Sequence, residues 1–336
     1  MADIRVATFN VENLLRRFDF YRYGGLTTEP SLAILGVEEN DQDYLLLRRA
    51  FTVTQTDDGR QMTSQAIRDT DAGIVCLQEV DNLQVLHDFH EQYLKKSANV
   101  HYGWRRLLEG NDMRGIDVAV MSRSWISVTS HKHHTFHDFG LFNQELADYG
   151  LSAGDPIFRR DCLEVETNVG GQDLFVFVCH FKSMSGGRDR TMPVRRAEAS
   201  AVRRIIEDKW PNDHAQRNWI IAGDLNDYLV DGNGQPIAHG LEPLFDNHFS
   251  VNLVENMPAA DQWTHYYTGD GSCNQLDYIL ASPAVDASNP YVQPDIIRNG
   301  QPHRVPGIEN VVRYPRVGYD RPKASDHCPV AVTLTI

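Results

Sequence analysis

Six short apolar runs in this sequence, each typical of a β-strand, carry at or near one end side chains that bind metal ions or transfer protons. In chain order these side chains are Asn10, Glu79, His180, Asp224 with Asn226, Asp277, and Asp326 with His327. A single run of this kind is ordinarily a turn, because Asp and Asn close loops by hydrogen-bonding to their own backbone. Six such ends in one chain indicate instead that they converge on a common site.

The carboxylates among these residues would repel one another if they met without an equal number of basic groups. Such a cluster needs a bound cation or a raised carboxyl pKa. Oxygen donors from Asn, Glu and Asp suit a hard cation such as Mg²⁺, with Mn²⁺ or Ca²⁺ as alternatives, whereas Zn²⁺ would favour more His and Cys. Asp277 is the strongest single indication, because it lies between Leu276 and Tyr278, where a carboxylate needs a partner.

A divalent ion beside carboxylates and imidazoles suits the hydrolysis of a phosphate ester. The reaction needs an in-line nucleophile, a charge clamp on the phosphoryl oxygens and help for the leaving oxygen. A carboxylate such as Asp277 can hold His327 in one tautomer, and His180 and Lys182 can donate to the transition-state phosphate. Three arginines are further candidates for substrate binding, with a solvated surface as the alternative for each. They are Arg114, Arg188 and Arg195.

The charge of the chain restricts its partners. Its 336 residues include 32 Lys and Arg against 46 Asp and Glu, a formal net charge of −14. Proteins that coat nucleic acid are usually basic, because phosphate contacts release counterions. A polyanionic substrate must therefore meet a bound metal or a local basic patch, and the basic run from 182 to 204 could track a nucleic-acid backbone.

Strand-like runs outnumber helical ones, and the helices fall between groups of strands. Strands are predicted at 4–9, 74–78, 118–121, 162–166, 174–181, 219–222, 276–281 and 329–335. Helices are predicted at 61–70, 83–95 and 191–210, the last with Pro193 in its first turn and with Arg195 and Arg196 on its polar face. This order favours an α/β or α+β arrangement of two packed sheets with helices outside. We expect one domain over 1–336, with long loop insertions near 18–58 and 282–323.

The remaining features indicate a cytoplasmic protein without a stable membrane anchor. No apolar run reaches the ~18 residues that span a bilayer, and the N-terminus has no signal-peptide pattern, although a secreted parent whose signal was removed stays compatible. The cysteines lack metal-site spacing, and Cys76, Cys162 and Cys179 lie in apolar runs as small hydrophobes. A histidine cluster in a polar stretch is interpreted as a solvated loop rather than a metal site. Its members are His131, His133, His134 and His137.

The motifs TFNVEN, LQEV, GIDVAVMS, CHFKS, GDLND, QLDYIL and SDHCPV follow one another from Thr8 to Val330. In this order they resemble the endonuclease/exonuclease/phosphatase superfamily. The resemblance implies a four-layer α/β/β/α sandwich of two mixed sheets. It also implies a metal site at Asn10 and Glu79, to which Asp326 contributes.

The same resemblance implies roles for the other strand-end residues. Asp224 matches the residue that orients or deprotonates the attacking water, with Asn226 as its partner on water and phosphate. His180 matches a phosphate-contacting histidine, and Asp277 with His327 matches an Asp-His pair. The general base, Asp224 or the histidine, stays open from sequence.

The superfamily hydrolyses several phosphate esters, so the resemblance does not fix the substrate. CHFKSMSGGRDR followed by RRAEA is similar to a bacterial nuclease-like branch, which favours nucleic acid or a nucleotide. A phospholipid phosphodiesterase of the sphingomyelinase kind is the runner-up, and a phosphomonoesterase is a further alternative. The aromatic candidates for membrane insertion, Trp263, Tyr266 and Tyr267, are expected to line the pocket or the core instead. A catalytically silent binding module is disfavoured because no candidate catalytic residue is missing, and no protein partner is inferable.

Overall fold

The computed structural model describes residues 2–14, 57–112, 115–135, 140–232 and 234–336. Its strands are β1 Asp3–Leu14, β2 Ile74–Val80, β3 Trp104–Leu107, β4 Asp117–Ser122, β5 Ser127–His133, β6 Cys162–Val169, β7 Gln172–His180, β8 Trp219–Asp224, β9 Val251–Asn252, β10 His265–Tyr266, β11 Cys273–Asn274, β12 Asp277–Ala281, β13 Asp295–Ile296 and β14 Val330–Thr335. Its helices are α1 Asp57–Thr70, α2 Leu83–Phe89 with a π-helical continuation His90–Lys95, α3 Gln144–Tyr149, α4 Arg188–Lys209, α5 Glu242–Phe245 and α6 Pro283–Ser288.

Two six-stranded mixed sheets dominate the structure. The first sheet has the order β13-β14-β1-β2-β4-β3, and the second has the order β5-β6-β7-β8-β12-β9. Each sheet contains one parallel pair, β1 with β2 and β7 with β8, among antiparallel neighbours. A separate two-stranded hairpin joins β10 to β11.

Three apolar cores lie between four layers. Side chains from the facing sides of the two sheets form the central core, including Val6 of β1 and Val176 of β7. The next side chain, Ala7, points to the outer face of its sheet, which packs against α1 and α2, because successive residues of a strand alternate between faces. The outer face of the second sheet packs against α4. The four-layer α/β/β/α prediction is confirmed.

The eight predicted strands are all present, but the polar and very short ones were missed. β5 (SVTSHKH) is an edge strand paired with β6. Its side chains are mostly polar and exposed, so the sequence lacks the alternation of apolar and polar residues that predicts a strand. His131 and His133 therefore lie in a strand rather than in an irregular loop. His134 is buried, with Nε2 2.9 Å from a Glu164 oxygen, so the solvated-loop interpretation is wrong for it. His137 lies outside the described residues.

The helix α4 begins earlier than predicted, and the long insertions are only partly described. α4 starts at Arg188, so Pro193 lies inside the helix rather than in its first turn. The insertion at 282–323 is irregular apart from α6 and β13. Most of the insertion at 18–58 falls outside the described residues. The single-domain expectation stays a prediction, and among the described residues no helix is long and apolar enough to cross a bilayer.

Candidate active site

The strand registers bring the polar ends together at one edge of the sandwich. His180 pairs with Asp224 at the end of β7 and β8, and Asp277 pairs with Asp224 across β8 and β12. Gly223 makes the first pairing possible, because its φ is 155° and a Cβ there would lie 1.9 Å from the Cys179 carbonyl oxygen. Only glycine allows this approach of the two backbones. The predicted residues of the second sheet thus lie side by side.

Asn10 connects the two sheets at this edge. Its Nδ2 donates to Asp224 Oδ2 at 3.0 Å and to Glu79 Oε1 at 3.3 Å. Its backbone carbonyl accepts a hydrogen bond from Ser325 Oγ at 2.7 Å, which fixes the turn that carries Asp326. Asn10 is almost fully buried, so its carboxamide replaces water as the partner of both carboxylates. The predicted convergence of these strand ends is what the structure shows.

Asp277 and His327 form the predicted pair. His327 Nδ1 lies 2.7 Å from Asp277 Oδ2, and Thr264 Oγ1 donates to the same oxygen at 2.7 Å. With Nδ1 turned to Asp277, the other ring nitrogen, Nε2, lies 3.7 Å from Asp224 Oδ2. Sequence analysis missed Thr264, which follows Trp263 in a stretch without any strand signal. The hydrogen bonds of Asp277 fix the orientation of the imidazole.

Burial and charge shift the proton affinities of this cluster in opposite directions. Burial lowers the pKa of His327, but the charges of Asp277 and Asp224 outweigh it and raise that pKa to about 10. Burial raises the pKa of Asp224 to about 7, with the His327 charge opposing and the Asp277 charge adding to the rise. The two shifts favour the protonated form of the His327 imidazole and raise the proton affinity of the Asp224 carboxylate.

His180 approaches the same carboxylate from the other side. Its Nε2 lies 3.7 Å from Asp224 Oδ2 and 4.0 Å from Glu79 Oε1, and its side chain is buried. Asp224 is thus flanked by two imidazoles, His180 and His327. Two donors on either side of a carboxylate can contact different oxygens of one phosphoryl group.

Several site residues hold a left-handed backbone that is uncommon outside glycine. The φ angles are 47° at Glu12, 61° at Asn13, 66° at Glu79 and 53° at Asn226. Side-chain oxygens of the site hold these backbones in place. The Asn13 amide donates to Glu79 Oε2 at 2.9 Å, and the Asn226 amide donates to Asp224 Oδ1 at 2.9 Å. Strained conformations that are held by the surrounding residues are typical of functional sites.

A basic group that sequence analysis did not single out lies beside Asp326. The largely buried Lys323 places Nζ 3.0 Å from Glu12 Oε2 and 3.9 Å from Asp326 Oδ2, and Arg321 also pairs with Glu12. Burial would raise the pKa of Asp326, but Lys323 and the nearby His327 outweigh it and hold that pKa well below its usual range. Lys323 thus adds positive charge beside the carboxylates of Glu12 and Asp326. Its place three residues before Asp326 is the only sequence signal for it.

Lys182 and Asn226 lie next to the site but have specific partners. Lys182 Nζ donates to the Ser183 carbonyl at 2.9 Å, and its backbone amide donates to Glu198 Oε2 at 2.6 Å. Asn226 Nδ2 donates to the Phe181 carbonyl at 3.1 Å. Their predicted contacts with substrate stay predictions. Arg114 lies outside the described residues.

Arg195 is structural, which corrects its prediction as a substrate-binding residue, whereas Arg188 keeps some exposed surface and its predicted contact with substrate stays a prediction. Arg195 is completely buried, and its Nε bonds Asp227 Oδ2 at 2.9 Å. Arg188 bonds the other oxygen of Asp227 at 2.8 Å and covers the ring of Tyr228. The reason is Asp227, which turns from the GDLND loop into the core and needs cations there. Because the Arg195 side chain has no exposed surface, it cannot contact a substrate.

Three further arginines of the basic run are also paired with carboxylates. On α4, Arg203 pairs with Glu207 and Arg204 pairs with Asp208, one helical turn apart in each case. Arg196 lies within 4.0 Å of two glutamates. The prediction of a continuous basic track from 182 to 204 is therefore wrong for Arg195 and much weakened for the others.

The buried pair of Arg195 and Asp227 yields a stability prediction. Arg195→Met leaves the Asp227 carboxylate buried with one cation fewer, and we expect it to lower the free energy of unfolding by about 3–5 kcal/mol. The matched control is Arg204→Met on the same helix, where the exposed ion pair contributes less than about 1 kcal/mol. Urea denaturation measures both, and equal losses would contradict the structural role of Arg195.

The donor atoms present suit a hard divalent ion. Two groups in the described part of the chain place carboxylate and imidazole ligand atoms within 4.8 Å of one another. One consists of Asp224, Asp277 and His327, and the other of His265, Asp326 and His327. Asn10 adjoins the first group by donating a hydrogen bond to Asp224, and Glu79 adjoins it through the hydrogen bond that it accepts from Asn10. The first group has two carboxylates to one imidazole, as a hard divalent ion prefers, and both the identity of the metal and the specific set Asn10, Glu79 and Asp326 stay predictions.

Comparison with known proteins places the chain in a family. A model described as the endonuclease/exonuclease/phosphatase family matches residues 54–291, more than half of the sequence. The chain belongs to this family. A search of curated protein sequences returned no match.

Solved structures share the fold of this family member at low sequence identity. The human nocturnin catalytic domain is 12% identical with a TM-score of 0.56, covering 99% of this chain and 94% of that one. A family protein from Bacteroides thetaiotaomicron is 16% identical with a TM-score of 0.56 and the same coverage. Truncated TDP2 from Caenorhabditis elegans is 15% identical with a TM-score of 0.53, covering 99% and 98%. These likenesses support the sandwich architecture.

Proposed function

We propose that this protein is a divalent-metal-dependent phosphodiesterase that acts on nucleic acid or a nucleotide. The observation that carries the proposal is the buried Asp277–His327 pair facing Asp224, with Asn10 and Glu79 adjoining. Family membership supports hydrolysis of a phosphate ester in general.

Asn10, Glu79 and Asp326 would hold the metal. When bound, the ion supplies Lewis-acid polarisation of the phosphoryl group and offsets the repulsion between the substrate and an acidic protein. The carboxamide of Asn10 lies between the carboxylates of Glu79 and Asp224 and donates a hydrogen bond to each. A neutral donor, rather than a positively charged side chain, therefore bridges the two carboxylates.

Asp224 is the residue that accepts the proton of the attacking water. Its Oδ1 is engaged by the Asn226 amide, and its Oδ2 faces both imidazoles and Asn10. His327, whose Nδ1 is held by Asp277, presents Nε2 as a donor to a phosphoryl oxygen, and His180 does so from the opposite side. The two imidazoles stabilise the charge of the transition state without themselves acting as bases.

The structure bears on the choice of ester through the aromatic residues near the site. A lipid phosphodiesterase would need exposed rings to enter a membrane. Of the three aromatic candidates, Tyr266 is buried in an apolar cluster with Val305 and Ile308, and Trp263 packs against that cluster. Tyr267 is exposed, so the expectation that it lies in the core is wrong. This arrangement supports nucleic acid or a nucleotide before a phospholipid, which stays the runner-up. A catalytically silent module is the least favoured, because all the proposed proton-transfer groups are in contact.

An activity panel tests the proposal. The purified protein with Mg²⁺ or Mn²⁺ is assayed on single-stranded DNA, RNA, cyclic nucleotides, sphingomyelin vesicles and p-nitrophenyl phosphate. We expect a nucleic acid or nucleotide diester to give the highest kcat/KM, by about tenfold or more. That ratio corresponds to about 1.4 kcal/mol of additional binding of the transition state. Faster turnover of sphingomyelin or of the monoester would overturn the choice of substrate.

A further inference from the structure

A row of three rings leads from the catalytic imidazole out to solvent. The ring centroids of His327 and His265 are 4.5 Å apart, and those of His265 and Tyr267 are 6.5 Å apart with an angle of 23° between the planes. Exposure rises along the row. His327 is buried, His265 is partly exposed, and Tyr267 is 53% exposed.

The β10–β11 hairpin fixes this row. Successive residues of a strand point to opposite faces, so His265 and Tyr267 share one face while Tyr266 enters the apolar cluster on the other. The Tyr266 amide donates to the Asp326 carbonyl at 3.1 Å, and His265 pairs with His327 in an isolated β-bridge. The hairpin is therefore anchored to the turn that carries Asp326 and His327.

The ring of Tyr267, the outermost of the three, packs against the backbone of Gly269. A Cβ at Gly269 would lie 2.6 to 2.8 Å from two ring carbons and the hydroxyl oxygen of Tyr267, so the ring packs directly against the Gly269 backbone. The Tyr267 amide and carbonyl also bond across the turn, to Ser272 and Gly271 at 2.9 Å each. The turn thus fixes the backbone of Tyr267 and supports one side of its ring, and such preorganisation lowers the cost of ordering the side chain on binding.

We propose that His265 and Tyr267 form a base-stacking subsite for the nucleotide that carries the scissile phosphate, so that the substrate is single-stranded nucleic acid or a nucleotide. This inference rests on the proposed function. A base is joined to its phosphate through one sugar, and the row begins beside the imidazole proposed to contact that phosphate. Stacking on aromatic rings is tolerant of sequence and does not require a basic groove. That suits a chain of net charge −14 whose basic run along α4 is largely paired with carboxylates.

Two matched oligonucleotides test the subsite. Both are short single strands, one with all bases present and the other with baseless tetrahydrofuran residues on either side of the cleaved phosphate. For the unmodified protein we expect a KM about tenfold lower for the base-bearing strand, within the range that stacking on one aromatic ring provides. Tyr267→Ala should raise the KM of that strand to the baseless value, leave the baseless strand unaffected and change kcat less than about twofold.

Two further variants define the control. Tyr267→Phe keeps the ring and should keep the low KM. Tyr291→Ala removes a tyrosine that is 86% exposed and follows α6, where Asn289 bonds the carbonyl of Thr335 at the far end of β14 from the site. This control should behave like the unmodified protein on both strands.

The possible failures are distinguishable. Metal-dependent cleavage of both strands with equal KM would overturn the subsite and leave the proposed function standing. No cleavage of either strand and no turnover of cyclic nucleotides, with turnover of sphingomyelin or p-nitrophenyl phosphate, would overturn both. Loss of activity on sphingomyelin vesicles in Tyr267→Ala, with unchanged cleavage of the strands, would make Tyr267 a lipid contact and also overturn the subsite.

Discussion

Asp224→Asn is expected to lower kcat about a thousand-fold, because it removes the group proposed to accept the proton of the attacking water. Asparagine keeps the size of the side chain and an oxygen for the Asn226 amide, which donates to Asp224 Oδ1 in the structure. Since burial raises the pKa of Asp224, a neutral replacement should not destabilise the fold. Steady-state kinetics at saturating metal, with the thermal midpoint as a check, measure the effect.

The matched control for this variant is Asp208→Asn. Asp208 is an exposed carboxylate near the end of α4 that pairs with Arg204, so its replacement should leave kcat within about twofold. If Asp224→Asn kept most of its kcat with saturating metal, Asp224 would not be the proton acceptor, and the choice would return to the histidine.

His327→Asn is expected to lower kcat by about 100- to 1000-fold, the effect of removing one preorganised donor to the transition state. The asparagine amide can still donate to Asp277 Oδ2, so the buried carboxylate keeps a partner and the fold survives. The variant loses the position of Nε2, which faces Asp224 at 3.7 Å.

A second histidine-to-asparagine variant, away from the proposed catalytic residues, is the control for His327→Asn. His303 is exposed in the irregular segment before β14, and His303→Asn should leave kcat within about twofold. Circular dichroism establishes that both variants are folded. An active His327→Asn protein would mean that the imidazole does not contact the phosphoryl group.

The site could be predicted from sequence because its residues follow strongly apolar strands. β1, β8 and β12 are apolar and largely buried, so the polar residues in them were recognisable without any knowledge of their neighbours. Asn10 lies within β1, Asp224 ends β8 and Asp277 begins β12, and such residues meet when the strands are neighbours within a sheet or across the two sheets. That rule located Asn10, Asp224 and Asp277, and their contacts confirm the convergence.

Residues whose roles depend on distant partners could not be predicted. The helical period placed Arg195 on a solvated face, yet the burial of Asp227 draws it into the core, and nothing in α4 itself encodes that contact. Thr264 and Lys323 lie in irregular segments and reach the site only because the hairpin and the 282–323 segment fold over it. β5 escaped prediction because an edge strand with polar side chains has no apolar period.

The most direct test of the account is metal dependence on a single-stranded oligonucleotide. The protein is stripped with a chelator, and cleavage is followed while Mg²⁺ or Mn²⁺ is added back, for the unmodified chain and for Glu79→Gln. We expect no cleavage in chelator, recovery with either ion, and a requirement for at least about tenfold more metal in Glu79→Gln, a shift at least as large as the loss of a supporting residue causes. Undiminished cleavage in the presence of chelator would contradict the proposed metal site.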